Sequence, residues 1–441
     1  MRMPIPARTA LVLSFAPCSL LAFGISASPG CSLLVSPDDL GGATAPSGVD
    51  ASSHDAQDDS HPSDVTTDVW EDTSTDVSEE AVEDSSQDSL ADGGVDAPAA
   101  CTTATADCDG NAANGCETDI TESGAHCGAC GHDCLGGECR DSMCQPVVLA
   151  SGQESPMGVT VDTHGAGRVY WTNRVDSGSI RSVAKSGGTV TEHATGQALP
   201  SSIALDGNHL FWVTSGLAPS SGTVASLDLD VDAGTVSTIA TGQDNPFALA
   251  LRAGRVFWTN STNLAGSVRA VDTEGTNPVE IATGQKLPTG IAADVVGVYW
   301  ANLNAGEIRY ADPHIAVPPV ALFLDSLSSP VGVAVDQVNV YWTEFTGSVY
   351  RATKLEKVAT ACAINQDAPL GIAVDAVHVY WSNYGGGSIM RTAKAAYVGD
   401  AGATQPTVLA SDQNGPTTIA LDADAVYWTN GGDGTVMRLA K

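Results

Sequence analysis

Residues 288–300 read Pro288-Thr289-Gly290-Ile291-Ala292-Ala293-Asp294-Val295-Val296-Gly297-Val298-Tyr299-Trp300. Two short apolar runs flank an acidic turn, the pattern of an antiparallel hairpin. The closing triplet recurs seven times, as Val169-Tyr170-Trp171, Leu210-Phe211-Trp212, Val256-Phe257-Trp258, Val298-Tyr299-Trp300, Val340-Tyr341-Trp342, Val379-Tyr380-Trp381 and Val426-Tyr427-Trp428. Successive Trp residues stand 41, 46, 42, 42, 39 and 47 positions apart. A four-stranded propeller blade takes about 40–45 residues.

Each unit carries the same further signals. A proline stands six residues before the turn residue, from Pro156 and Asp162 to Pro416 and Asp422. Runs such as Gly332-Val333-Ala334-Val335 set a small residue beside large aliphatics, as an innermost strand crowding a channel requires. After Trp comes a loop and then Gly-x-Ile/Val, as in Gly266-Ser267-Val268. A fourth run, such as Val279-Glu280-Ile281-Ala282 before Thr283-Gly284-Gln285, closes the unit. The four strands are named A to D. The repeat opens with a lone D-type run, Pro146 to Ala150, and ends with an A-B-C set, Thr418 to Leu439. One strand from the start therefore completes the last blade and removes an exposed sheet edge. The reading is an all-β chain whose residues 146–441 form a seven-bladed β-propeller closed by an N-terminal strand.

The Val-Tyr-Trp-Thr-Asn pattern resembles the Tyr-Trp-Thr-Asp repeat of low-density-lipoprotein-receptor propellers, over about 290 residues. That family usually has six blades and Asp as the fourth motif residue. The fourth position here is read as Asn173, Ser215, Asn260, Asn302, Glu344, Asn383 and Asn430. The Pro-x-Gly-Ile-Ala pattern also looks like propellers of the NHL type and of streptogramin lyases. The lyase resemblance implies a His and a Glu acting with a metal.

Upstream of the repeat the composition changes three times. Residues 1–30 read as an export signal. Arg2 and Arg8 precede a broken apolar stretch, Leu11 to Ile25, too short to span a membrane. Small residues then lead to Gly30-Cys31, similar to a bacterial lipoprotein cleavage site, with Ser28 where that motif usually has Leu. Cys31 is the candidate lipidation site, and ordinary signal cleavage near Ala27 is the alternative. Residues 31–100 are rich in Asp, Ser, Glu and Thr, and no Lys or Arg occurs between Arg8 and Arg140. Such a segment cannot offset its ordering entropy and is expected to be a disordered acidic linker. At flexible-coil scaling it reaches roughly 45 Å.

Residues 101–145 hold Cys101, Cys108, Cys116, Cys127, Cys130, Cys134, Cys139 and Cys144. The even count in an exported chain predicts a disulfide-rich module with four bridges, and spacing leaves their pairing open. Zinc at Cys127 and Cys130 with His126 and His132 is the alternative. Asp107, Asp109, Asn111 and Asn114 place oxygen ligands along one Cys-stapled loop, the donor type calcium favours. The loop looks like those of thrombospondin-type repeats, which implies calcium. Otherwise these side chains form turns on their own backbone.

A net charge of −33 excludes nucleic-acid backbones as partners. Contact with a membrane is expected only through a lipid anchor. No Ser-His-Asp order, phosphate loop or His-Glu pairing stands out, and Cys362 reads as a buried thiol. The expected function is binding of a protein or glycan at the face carrying the D–A and B–C loops. Asn173, Asn260, Asn302, Glu344, Asn383 and Asn430 are the candidate ligand-binding residues. Turn capping by each Asn is the competing role, and a metal-dependent lyase or lactone hydrolase is the alternative function. The repeat sets no oligomeric state.

Overall fold

Tyr or Phe stands next to Trp in every triplet, so a strand directs the two rings to opposite faces of its sheet. That alternation builds the ring. The computed structural model describes residues 101–441 apart from 112, 164–166, 232–234, 313–318 and 396–404. The export signal, Cys31 and the acidic linker lie outside these residues. Among the described residues no helix is long and apolar enough to cross a membrane.

The repeat folds as seven four-stranded antiparallel sheets. Blade 1 consists of A Pro156–Val161, B Arg168–Asn173, C Gly178–Ala184 and D Thr191–Gln197. Blades 2 to 7 begin at Pro200, Pro246, Pro288, Pro330, Pro369 and Pro416. In blade 7 the fourth strand is Val147–Ala150, which pairs with Thr435–Ala440 in the register Val436 to Ala150 and Met437 to Val148. The ring closes with a strand from its N-terminal end, as the sequence predicts.

The seven Trp of the repeat are each at most 2% exposed. The aromatic before each Trp packs in one cluster with the Trp of the next blade: Tyr170 with Trp212, Phe211 with Trp258, Phe257 with Trp300, Tyr299 with Trp342, Tyr341 with Trp381, Tyr380 with Trp428, and Tyr427 with Trp171. Each pair removes a large apolar area from water and glues neighbouring sheets together.

Hydroxyl groups stitch the inner strands at every junction. Thr172, Thr259, Thr343, Ser382 and Thr429, each just after Trp, donate to the A-strand carbonyl oxygens of Ser201, Thr289, Leu370, Thr417 and Met157 in the next blade. Blades 2 and 4 have Val213 and Ala301 at that position. There Ser201 and Thr289, just after the strand A proline, supply the hydroxyl to Phe247 and Val331. The inner strands also approach closely. A Cβ on Gly332 would lie 2.4 Å from the Leu370 carbonyl oxygen.

On the A–B face a second set of links joins blades 4 to 7 and back to blade 1. Lys354, Lys394, Lys441 and Lys185 pair with Asp294, Asp336, Asp375 and Asp422 of the preceding blade. Tyr341, Tyr380 and Tyr427 donate their hydroxyls to the last three of these carboxylates at 2.8–2.9 Å. Blades 2 and 3 carry Phe211 and Phe257 instead, which have no hydroxyl to give.

The Cys-rich segment forms four disulfides: Cys101–Cys116, Cys108–Cys130, Cys127–Cys139 and Cys134–Cys144. With all eight sulfurs bonded, the zinc alternative at Cys127 and Cys130 is overturned. Two short hairpins lie between the bridges, Thr105–Ala106 with Thr118–Asp119 and Cys139–Arg140 with Met143–Cys144. Disulfides of this density belong to oxidising compartments.

Candidate functional site

Strand B ends beneath the D–A and B–C loops, and this decides where the candidate residues lie. Asn173, Asn260, Asn302, Glu344, Asn383 and Asn430 are 0–5% exposed. They sit inside the blades rather than on the face. Each Asn gives its amide to the oxygen of a glutamine that ends the preceding D segment: Gln153, Gln243, Gln285, Gln366 and Gln413, at 2.8–3.2 Å. The same glutamine oxygen accepts the indole N–H of the blade's Trp, as Gln285 does from Trp300 at 3.0 Å. The second amide hydrogen goes to the start of strand C, as from Asn260 to Ser267 and from Asn430 to Thr435. The glutamine that ends the D segment is thus a partner of the Trp motif fifteen residues on in five blades. That fixed offset was the signal in the sequence.

Two departures in the repeat take a different meaning. Ser215 is not the fourth motif residue of blade 2. Thr214 pairs with Pro200 where Asn173 pairs with Pro156, and its hydroxyl meets that of Thr223 at 2.7 Å. Glu344 keeps the Asn position, but Leu327 stands where the glutamine belongs. Trp342 therefore donates to Glu344 at 3.4 Å. Burial raises the Glu344 carboxyl above its ordinary value, against the Trp342 and Ser328 hydrogen bonds.

The face itself is made by the loops. Glu154, Asp176, Asp244, Asp325, Asp367, Asp412 and Asp433 are exposed there, with Arg174 and Lys286 as the cations. Beneath them the channel is lined by the seven A strands. The titratable side chains on those strands are Asp206 and Arg252, both exposed at the opposite, A–B end. Among the described histidines, His209 and His378 start B strands at that same opposite end, and His193 lies on an outer strand. His164 and His314 lie outside the described residues. Cys362 is 3% exposed, and burial pushes its thiol up to about 11, away from nucleophilic use.

In the Cys-rich segment, carboxylate oxygens of Asp107, Asp109 and Glu117 lie within 4.8 Å of one another. Asn111 and Asn114 serve the turn. The Asn111 amide and the Asn114 carboxamide both donate to Asp109, and together they hold its carboxyl below the ordinary range. Glu117, absent from the sequence-based set, is the third carboxylate.

Six strand C arginines divide into two sets by sheet face. Arg181, Arg269 and Arg309 pair across from Trp, whereas Arg351, Arg391 and Arg438 pair across from Tyr.

No family model matches the chain, and no curated protein matches it. Solved structures do. A streptogramin B lyase structure aligns with a TM-score of 0.54 and 14% identity, covering 67% of this chain and 96% of that one. A virginiamycin B lyase from Staphylococcus aureus aligns with a TM-score of 0.54 and 14% identity, over 67% and 98%. The WD40 propeller domain of Doa1 gives 0.54 and 13%, over 67% and 97%. At such identities the likeness is one of fold, and the fold is the β-propeller that the Trp repeat predicts.

Proposed function

We propose that this protein is an exported, surface-tethered binding module whose D–A and B–C loop face meets a protein or glycan partner. The observation that carries the reading is the composition of the channel. Acid–base catalysis needs a few distinct groups within reach of one reacting atom. Among the described residues the seven A strands bring no carboxylate or imidazole to the loop end of the channel, and the hydroxyls they carry there, Ser201, Ser202, Thr289, Thr417 and Thr418, are bonded to backbone groups of neighbouring strands. The acidic loops above it suit contact with a complementary surface. Attachment through a lipid on Cys31, with residues 31–100 as spacer, would hold the ring away from a membrane. Calcium held by Asp107, Asp109 and Glu117 would support the Cys-rich segment. Incubating the full chain with virginiamycin B and a divalent metal tests the reading against the lyase alternative. Unchanged retention and fragmentation of the substrate support a binding module, and a metal-dependent shift to a ring-opened product, isomeric if opened by elimination or heavier by one water if opened by hydrolysis, replaces it with an enzyme.

A further inference from the structure

The Cys-rich segment and the propeller belong to one compact unit. Buried Cys127, Cys134, Cys139 and Cys144 share a hydrophobic cluster with Trp428, Met437 and Leu439 of blade 7. This contact lies at the seam where the two ends of the ring meet.

Arg438 is the centre of the seam. It is 5% exposed, whereas its counterparts Arg351 and Arg391 are only partly buried. Its guanidinium donates to the Leu135 carbonyl of the Cys-rich segment and to the Lys185 carbonyl of blade 1. Lys185 in turn pairs with Asp422 of blade 7 at 3.2 Å. Arg438 also pairs with Val147 of the closing strand. Three parts of the chain thus meet at one residue, two through its side chain and the closing strand through its backbone.

A second contact lies alongside. His132 donates from Nε2 to the Lys441 carbonyl oxygen at 2.7 Å, while the Lys441 ammonium holds Asp375 of blade 6 at 3.0 Å. The turn that offers Leu135 is itself fixed. Leu135 has φ 55° and Gly136 φ 86°, and Asp133 accepts the Leu135 amide at 2.7 Å. The Cys134–Cys144 bridge ties that turn to the residues just before the closing strand.

We propose that the Cys-rich segment is an intramolecular clasp that locks the closing blade, not an adapter mounted independently on the ring. A strand paired across the chain ends pays loop-closure entropy that strands within one blade do not. The clasp offsets it by fixing the closing strand from outside the ring.

The test is hydrogen exchange on the full chain, comparing the closing strand Val147–Ala150 with the outer strand Ser237–Gln243 of blade 2. The variants are Arg438→Gln and His132→Ala. His132 lies outside the propeller, so its removal keeps the test usable should Arg438→Gln fail to fold. Native protein treated with a phosphine reductant gives a third arm. The clasp predicts exchange at Val147–Ala150 at least about tenfold faster in the folded variants and after reduction, with Ser237–Gln243 unchanged. Equal protection at the closing strand, or a uniform loss across all blades, overturns it.

Discussion

Glu344 accepts the indole N–H of Trp342 in the blade whose preceding D segment ends at Leu327 instead of glutamine. The two departures compensate each other. Losing the glutamine would leave a buried indole donor unpaired, at a cost of about 1–3 kcal/mol. The carboxyl supplies the missing acceptor but is itself buried. Its raised folded value means that stability from this group is full below the ordinary glutamate value of 4.5 and is lost as pH rises through the folded value. Glu344→Gln keeps an oxygen acceptor and removes the charge. Melting curves should show a gain of about 2–4 °C at pH 7, corresponding to about 1 kcal/mol, and none at pH 4. An equal gain at both pH values would mean that charge burial is not the cause.

The Asp–Tyr–Lys links respond to acid in the opposite sense. Burial alone would raise the Asp336 carboxyl. The Lys394 ammonium, the Asn339 and Val338 amides and the Tyr341 hydroxyl outweigh it and bring it to about 2. A depressed folded value gives stability that is present above the ordinary 3.8 and lost as pH falls toward 2. Lys394→Met should cost about 1–3 kcal/mol at pH 7 by denaturant titration. It should also flatten the loss of stability between pH 4 and pH 2.5. A variant as acid-sensitive as the parent would remove Lys394 from the account.

Trp300 is fully buried, shares a cluster with Phe257 of blade 3, and donates to Gln285. Trp300→Ala should cost about 3–5 kcal/mol, the range for large core aromatics. Gln285→Leu, which removes the acceptor of both Trp300 and Asn302 and keeps the volume, should cost about 1–3 kcal/mol. Urea titrations check both, and a neutral Gln285→Leu would show that the glutamine ladder does not stabilise the ring.

The ring was legible because blade packing is written in period two, and every unit repeats it. Val, Tyr and Trp alternate faces, so the triplet alone specifies core on both sides of strand B. Ring closure was legible from the unmatched strand at each end. The site was less so. Asn173 and its counterparts look alike whether they face solvent or the blade interior, and only the glutamine fifteen residues upstream of most Trp residues marks them as buried. Arg438 differs from Arg351 and Arg391 through contacts made across 303 residues, from Arg438 to Leu135, which local spacing does not encode. Glu117 was missed because it lies at the far end of the loop and joins Asp107 and Asp109 only when the disulfides fold that loop back.

Tethering makes a separate prediction. Cys31 follows a run of small residues and precedes the acidic segment. Cys31→Ser should move the mature protein from the membrane fraction to the soluble fraction of the cells that export it, on immunoblots of both. Identical fractionation of parent and variant would remove the lipid anchor.

Binding through the loop face is the central claim. The full chain and a Glu154→Gln/Asp176→Asn/Asp433→Asn variant should be applied side by side to protein and glycan arrays, and each captured ligand titrated by calorimetry. These side chains are exposed on the loops of blades 7 and 1, so the variant should melt with the parent. The account predicts saturable binding by the parent, weakened by at least about tenfold in the variant, or about 1.4 kcal/mol, with the ligand recovered unchanged in retention and fragmentation. Equal capture by both proteins, or a ligand recovered chemically altered, would contradict it.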